Sequence, residues 1–315
     1  MKGNSGFIGP KQETSNATAS GVFDTYDQYT ARVDDIWITE EDPPGQSLYT
    51  TPGPHSWTAP PKTTSVCAVC IGGGGGGHQT PARSGGGGGG GLGWKNNIPV
   101  VGGQSYSLYV GAGGDRSTCP TSSNTATPGE DSWFVSTTTV NGGGGARGAY
   151  NTPVPSPSAS GGTYIGDGGG NGGSGGGSRS SFRAGGGGGA GGYSGNGGNG
   201  SGAPSPGIGG DGAGGGGGGG GRGGSADYGG GGGGVGVLGE GPNGTGGVAP
   251  GANATSGTGG SGGATGGPLG AGGAYGGGGG GADNCLNEAG NGGGGAVRII
   301  WGSGRAFPNT NTGDV

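Results

Sequence analysis

Hydrophobic and polar positions change pattern three times along the chain. In the first forty residues a mostly polar stretch carries Tyr26, Tyr29, Val33 and Trp37 three and four apart, with Ile36 beside them. That spacing fits one short amphipathic helix, and equally an extended arm whose aromatics dock on a neighbour. Glu40-Glu41-Asp42 followed by Pro43-Pro44-Gly45 closes the stretch. The pattern then turns to strand. Segments 48–51 and 56–59 flank the turn Pro52-Gly53-Pro54, and 63–71 is rich in Val, Thr and Cys. Segments 98–101, 105–110 and 133–140 follow, the last alternating with Thr. From 142 to 295 no apolar period survives, and then Ala-Val-Arg-Ile-Ile-Trp at 296–301 reads as one more strand. A lone strand needs partners, and the candidates lie before residue 141. In that strand Val297, Ile299 and Trp301 are expected to face the core, leaving Arg298 and Ile300 partly exposed.

Composition explains the silent tract. The chain has 315 residues, of which 105 are Gly and 20 are Pro. Glycine inside a helix or strand is entropically costly and buries nothing, so neither element is expected where runs such as 214–221, 229–234 and 276–281 dominate. A strict glycine at every third position is absent, which removes collagen. Two readings remain: a low-complexity coil, or a bundle of extended threefold helices hydrogen-bonded only to one another, in which bare glycine lets backbones approach on every side. The scarcity of charge in the tract and its two pinned ends favour the bundle. The expected organisation is an N-terminal attachment segment over 1–46, sandwich strands over 47–141, a polyglycine II bundle over 142–295, and a closing strand with a tail over 296–315. The fold class is mainly β: a small sandwich with a long inserted bundle.

Charge and chemistry narrow the function. The formal net charge is −5, so nucleic acid and an anionic membrane surface are not the expected partners. No apolar run is long enough to cross a bilayer, and 1–10 lacks the apolar core of a secretory signal. Cys67 and Cys70 form a CxxC, but on a strand residues three apart point to opposite faces. With only His55 and His78 as further soft ligands, buried free thiols are expected at all four cysteines, and no metal or cofactor. The glycine runs satisfy GxGxxG by composition alone, without Gly-Lys-Ser/Thr to hold a phosphate. No nucleophile or carboxylate pair stands in a catalytic pattern, and an enzyme is not expected.

Several segments resemble known families. Trp57-Thr58-Ala59-Pro60, leading through Thr64-Ser65-Val66-Cys67-Ala68-Val69-Cys70 into a glycine run, resembles the opening of glycine-rich β-sandwich modules of phage and bacterial surface proteins. Segments 105–114 and 292–301 are similar to their next strand pair and closing strand. The plan also resembles the glycine-rich region of anaplastic lymphoma kinase, a tumour-necrosis-factor-like or jelly-roll sandwich with inserted glycine helices. Phe7-Ile8-Gly9-Pro10, 19–24 and 297–312 are similar to virion structural proteins of marine T4-related phages, and glycine-helix sandwiches resemble the distal adhesins of T-even-type tail fibres. The resemblance implies a virion surface protein made in the host cytoplasm, a fibre or fibre tip that contacts a host surface glycan or outer-membrane protein. A head or tail decoration fibre without receptor binding, or a cellular matrix or filament protein, is the alternative.

Bulky residues that interrupt the glycine tract cannot enter a packed interior, so they either cap the bundle or are exposed as rigid anchors. Phe182, Tyr193, Tyr228 and Tyr275 are the candidate receptor contacts, with Tyr193 and Tyr228 the expected exposed pair. Tyr26, Tyr29, Val33, Ile36 and Trp37 form an apolar cluster too small to be a domain. They are expected to join sister chains, a trimer by analogy with fibres, or other virion proteins.

Overall fold

The computed structural model divides the chain into two compact units, 1–42 and 43–315. It describes residues 43–80, 84–119, 125–149, 159–177, 184–202, 207–221, 228–248, 254–282, 288–309 and 312–313. The apolar cluster Tyr26, Tyr29, Val33, Ile36 and Trp37 lies outside the described residues. Among the described residues ten strands form two antiparallel sheets: β1 (Gly45–Tyr49), β2 (Gly53–Thr58), β3 (Ser65–Ile71), β4 (Leu92–Pro99), β5 (Ser105–Val110), β6 (Ser132–Phe134), β7 (Val140–Gly142), β8 (Tyr164–Ile165), β9 (Gly168–Gly170) and β10 (Ala296–Trp301). One sheet runs β1-β10-β3-β4-β9, the other β2-β5-β6-β7-β8. The closing strand thus lies between β1 and β3, as a strand in need of early partners must.

Alternation along the central strands builds two cores. Val66, Ala68 and Cys70 of β3, with Val297 and Ile299 of β10, meet Trp57, Leu108, Val110 and Phe134 between the sheets. Their alternate neighbours Cys67, Val69, Ile71, Ala296 and Ile300 line a second core on the other face, with Leu92, Ala190, Tyr193, Val235, Val237 and Phe307. The cysteines of the CxxC therefore point opposite ways, as the period of two requires. The expectation that Arg298 and Ile300 are partly exposed is corrected: both are buried. The reason is that the glycine-rich part and the C-terminal segment cover this face. Arg298 donates to Gln46 Oε1 and to the carbonyls of Val237, Thr312 and Gly313.

The glycine helices are extensions of the strands. The pairing of Ile71 with Leu92 continues as Gly72 N–H to Gly91 O (2.9 Å), Gly75 to Gly88 (2.8 Å) and His78 to Gly85 (3.0 Å). The repeat has changed from two residues to three. Leu108 paired with Phe134 passes into Glu130 N–H to Ala112 O and Thr127 N–H to Asp115 O. Ala296 paired with Ile71 passes into Gly74 N–H to Gly293 O and Gly77 N–H to Gly290 O. In a threefold helix successive N–H groups point about 120° apart, and so do the carbonyls. Segment 72–78 uses all of these directions. It donates to 85–91, 127–130 and 290–293, and accepts from Gly145 and Gly148, from Gly114 and Ser117, and from Gly279 and Ala282. The neighbours number six, a hexagonal packing. Segments 185–191, 216–221, 229–234 and 276–282 lie in the same kind of surround.

This geometry redraws the expected boundaries. Glycine helices at 72–78, 85–91, 111–117 and 127–131 precede residue 142, while β8 and β9 lie after it. The bundle is woven through the sandwich rather than inserted once, because each strand pair hands its register onward. Segment 133–140 is also a hairpin rather than a single strand: β6 and β7 pair antiparallel around a turn in which Val135 has φ 65° and Thr139 N–H donates to Ser136 O. The turn near Pro52 joins strands of different sheets.

A side chain on an interior helix has no space. A Cβ on Gly217 would lie 2.1 Å from Gly233 O and 2.6 Å from its carbon, whereas one on Gly294 would meet nothing within 4 Å. Gly217→Val is expected to lower Tm by roughly 6–12 °C, corresponding to about 3 kcal/mol, and Gly294→Ala to leave it unchanged. Calorimetry on the pair checks this, and equal melting of the two would contradict the packed interior.

Candidate binding face at the far end of the bundle

Each glycine helix has a near end at the sandwich and a far end away from it. Residues 72 and 91 adjoin β3 and β4, so the passage from 78 to 85 is far; by the same reasoning the passage 192–195 is near. Several bulky interruptions of the glycine runs lie at the near end, where Leu238 is exposed. At the near end Tyr193, Val235 and Val237 are buried in the second core, with Tyr275 packed against it. Tyr193 donates its hydroxyl proton to Gly236 O (3.0 Å) and accepts from Gly239 N–H (3.2 Å). Its ring stacks on Phe307 with centroids 5.9 Å apart, and Trp94 Nε1 donates to its carbonyl at 2.8 Å. Burial pushes the phenol pKa well up. The expectation of an exposed Tyr193 is therefore corrected: the near-end turn presents it to the apolar outer face of the first sheet. Tyr275 is half-buried beside it.

The bundle's sides are polar. On the outer helices polar residues recur every third position, as in Asn171 and Ser174, Asn196 and Asn199, and Thr255 and Thr258. This spacing places them in one outward row per helix. It was present in the sequence and is the signal that a search for helix or strand periods passes over.

At the far end the described residues expose aliphatic side chains: Ile208 is 67% exposed, Val248 44% and Leu269 44%. Ile208 and Val248 belong to adjacent helices, joined by Gly209 N–H to Gly247 O at 2.7 Å. Arg147 is exposed at this end, and Tyr228 is half-buried, bridged to Ala282. Phe182 lies outside the described residues. None of the three aliphatics is among the candidate receptor contacts, although Leu269 is one of the residues that break the glycine runs, because the sequence does not say which end of a helix each occupies. Arg116 pairs with Glu288 at 2.8 Å between neighbouring far-end helix termini. Cys119, just beyond, is disulfide-bonded to a partner outside the described residues, which corrects the expectation of free thiols there. Cys67 and Cys70 are free and buried.

His78 ends an interior helix at the far end and is fully buried. Desolvation, then the nearby Arg147 cation, lower its pKa from 6.5 to about 4. Among the described residues no group of three His, Cys, Asp or Glu is placed to hold a metal ion, and no helix is long and apolar enough to cross a membrane.

Compared with known families, residues 50–302 match a family described as a glycine-rich domain. No curated protein matches the chain.

The His78 geometry predicts a pH dependence. The folded pKa is below the unfolded one, so the unfolded chain binds the proton more tightly. Stability is full above about pH 6.5, falls as pH drops towards 4, and then levels, a loss of up to about 3 kcal/mol. His78→Gln is expected to flatten the unfolding free energy over this window relative to the parent. Denaturant melts at pH 7 and pH 4 check it, and equal slopes in the two proteins would show that His78 is not the group responsible.

Proposed function

The chain belongs to the glycine-rich domain family, and we propose that it is a virion structural protein, a fibre or fibre tip whose far end contacts the host surface. The observation that carries this reading is the group of aliphatic side chains exposed together at the far end of a closely packed bundle. Tyr193, Val235 and Val237 at the near end are buried against the sandwich while Leu238 beside them is exposed, the sides carry Asn, Ser and Thr, and the far end exposes Ile208, Val248 and Leu269. Exposed aliphatics on a scaffold that cannot move are inexpensive anchors, since little freedom is lost on binding. A host glycan or an outer-membrane protein fits such a face, and Tyr228 stands at its edge. Segment 1–46, with Tyr26, Tyr29, Val33, Ile36 and Trp37, supplies the attachment to sister chains as a trimer, or to other virion proteins. The resemblance of the end segments to virion proteins supports the same compartment.

The test has two readouts. Antibody labelling is expected to place the chain on purified particles, and recovery in cell-derived filaments instead would overturn the reading. Particles carrying Ile208→Ser with Val248→Ser are expected to adsorb to the host about tenfold more slowly, with an unchanged melting profile. Normal adsorption by particles that carry the variant would remove the far end as the contact face.

A further inference from the structure

The outer helices of the bundle have a problem that sheet edges share: at least one N–H in three points away from the glycine neighbours. Short polar side chains meet these groups. Asn171 N–H donates to Asn196 Oδ1 at 3.0 Å and Ser174 N–H to Asn199 Oδ1 at 2.9 Å, so that two residues three apart cap two others three apart. Across another part of the surface Thr245 N–H donates to Thr258 Oγ1 (2.6 Å) and Val248 N–H to Thr255 Oγ1 (2.7 Å). Elsewhere Asp211 caps Gly246 (2.7 Å), Thr127 caps Asp115 (2.7 Å), and Asn291 caps Arg116 (2.9 Å). Such pairings recur along the outer helices and on opposite parts of the surface. Interior helices, by contrast, send their N–H groups almost entirely to backbone carbonyls.

We infer that these side chains set the lateral limit of the bundle, and that the face they guard is a latent docking surface for the glycine helices of a second copy of this chain. The occupant follows from the repeat. A threefold helix offers hydrogen-bonding groups on one side about every 9.3 Å, three residues at about 3.1 Å each. A β-strand repeats about every 6.6–6.8 Å, so it falls out of step within two bonds. Only another threefold glycine helix matches the row, and a second copy supplies it. Asn, Thr, Ser and Asp are suited to the guarding role because their oxygen reaches a neighbouring backbone without filling the groove between helices. The caps act on the bundle as charges and prolines act on an exposed sheet edge.

The test uses the full chain with Asn196→Ala and Asn199→Ala together, which removes both acceptors from the row at Asn171 and Ser174. Light scattering is expected to show this variant at the parent's mass when dilute and at twofold or greater mass as concentration rises, reversibly on dilution. Asn196→Asp with Asn199→Asp retains an acceptor at each position and is expected to keep the parent's mass throughout. The inference is overturned if the alanine pair keeps the parent's mass at every concentration, whether or not its melting point falls. Irreversible aggregation with loss of a cooperative melt would overturn it equally, since the association would then come from unfolded chains.

Discussion

The structure depends on one constraint: a threefold glycine helix makes no hydrogen bond to itself, so each of its backbone groups must find a partner on another helix. An α-helix or a hairpin can form locally and then pack, but a helix of this kind has no local stability to contribute. Order has to be imposed from outside and on several neighbours together. The sandwich does this by pinning strand ends in a fixed register, and each pair of strands continues into a pair of glycine helices. The absence of side chains in the interior follows from the same constraint, since a hydrogen-bond length between backbones leaves a Cβ about 2 Å from a neighbouring carbonyl oxygen at position after position. The cost of ordering so much glycine is offset by backbone hydrogen bonds that are nearly all satisfied in a closely packed interior.

Much of this was legible in the sequence, and what was missed has a physical cause. Strands 65–71, 105–110 and 296–301 declared themselves by β-branched residues and alternation, and the isolation of the last one foretold its pairing with early strands. The glycine runs foretold close packing because no other residue permits it. The bundle reaches past the expected boundary at 142 because runs such as 72–77 and 85–91 stand among the strands, each as the strand's own continuation. Strand and threefold helix have similar extension per residue, so nothing in composition marks where one becomes the other. Tyr193 was read as an exposed anchor because an aromatic among glycines has no apolar neighbour in sequence; its partners Phe307 and Trp94 arrive from about a hundred residues away on either side.

Two buried cationic side chains show how the polar requirements of such a fold are met. Arg298 sits on a central strand, among apolar residues, and its guanidinium is held by carbonyls of Val237, Thr312 and Gly313 together with Gln46. Arg305 reaches carbonyls of Gly45, Thr312 and Gly313. Both therefore tie the C-terminal segment down over the second core, using the fork of donors that suits several carbonyls at once. Arginine suits this task because its planar fork of donors reaches carbonyls of several segments at once.

The hand-over from strand to helix has a consequence for how such a chain can change. A helix that meets six neighbours with a three-residue repeat has a reading frame. Adding or removing one whole triplet in every helix lengthens or shortens the bundle by about 9 Å and returns each residue to the same face. A single inserted residue turns every later position by about a third of a revolution, carrying outward-facing Asn and Thr into the interior. Lineages built on this plan are therefore free to vary in steps, much as a strip of film advances only by whole frames, with single-residue changes confined to the passages between helices.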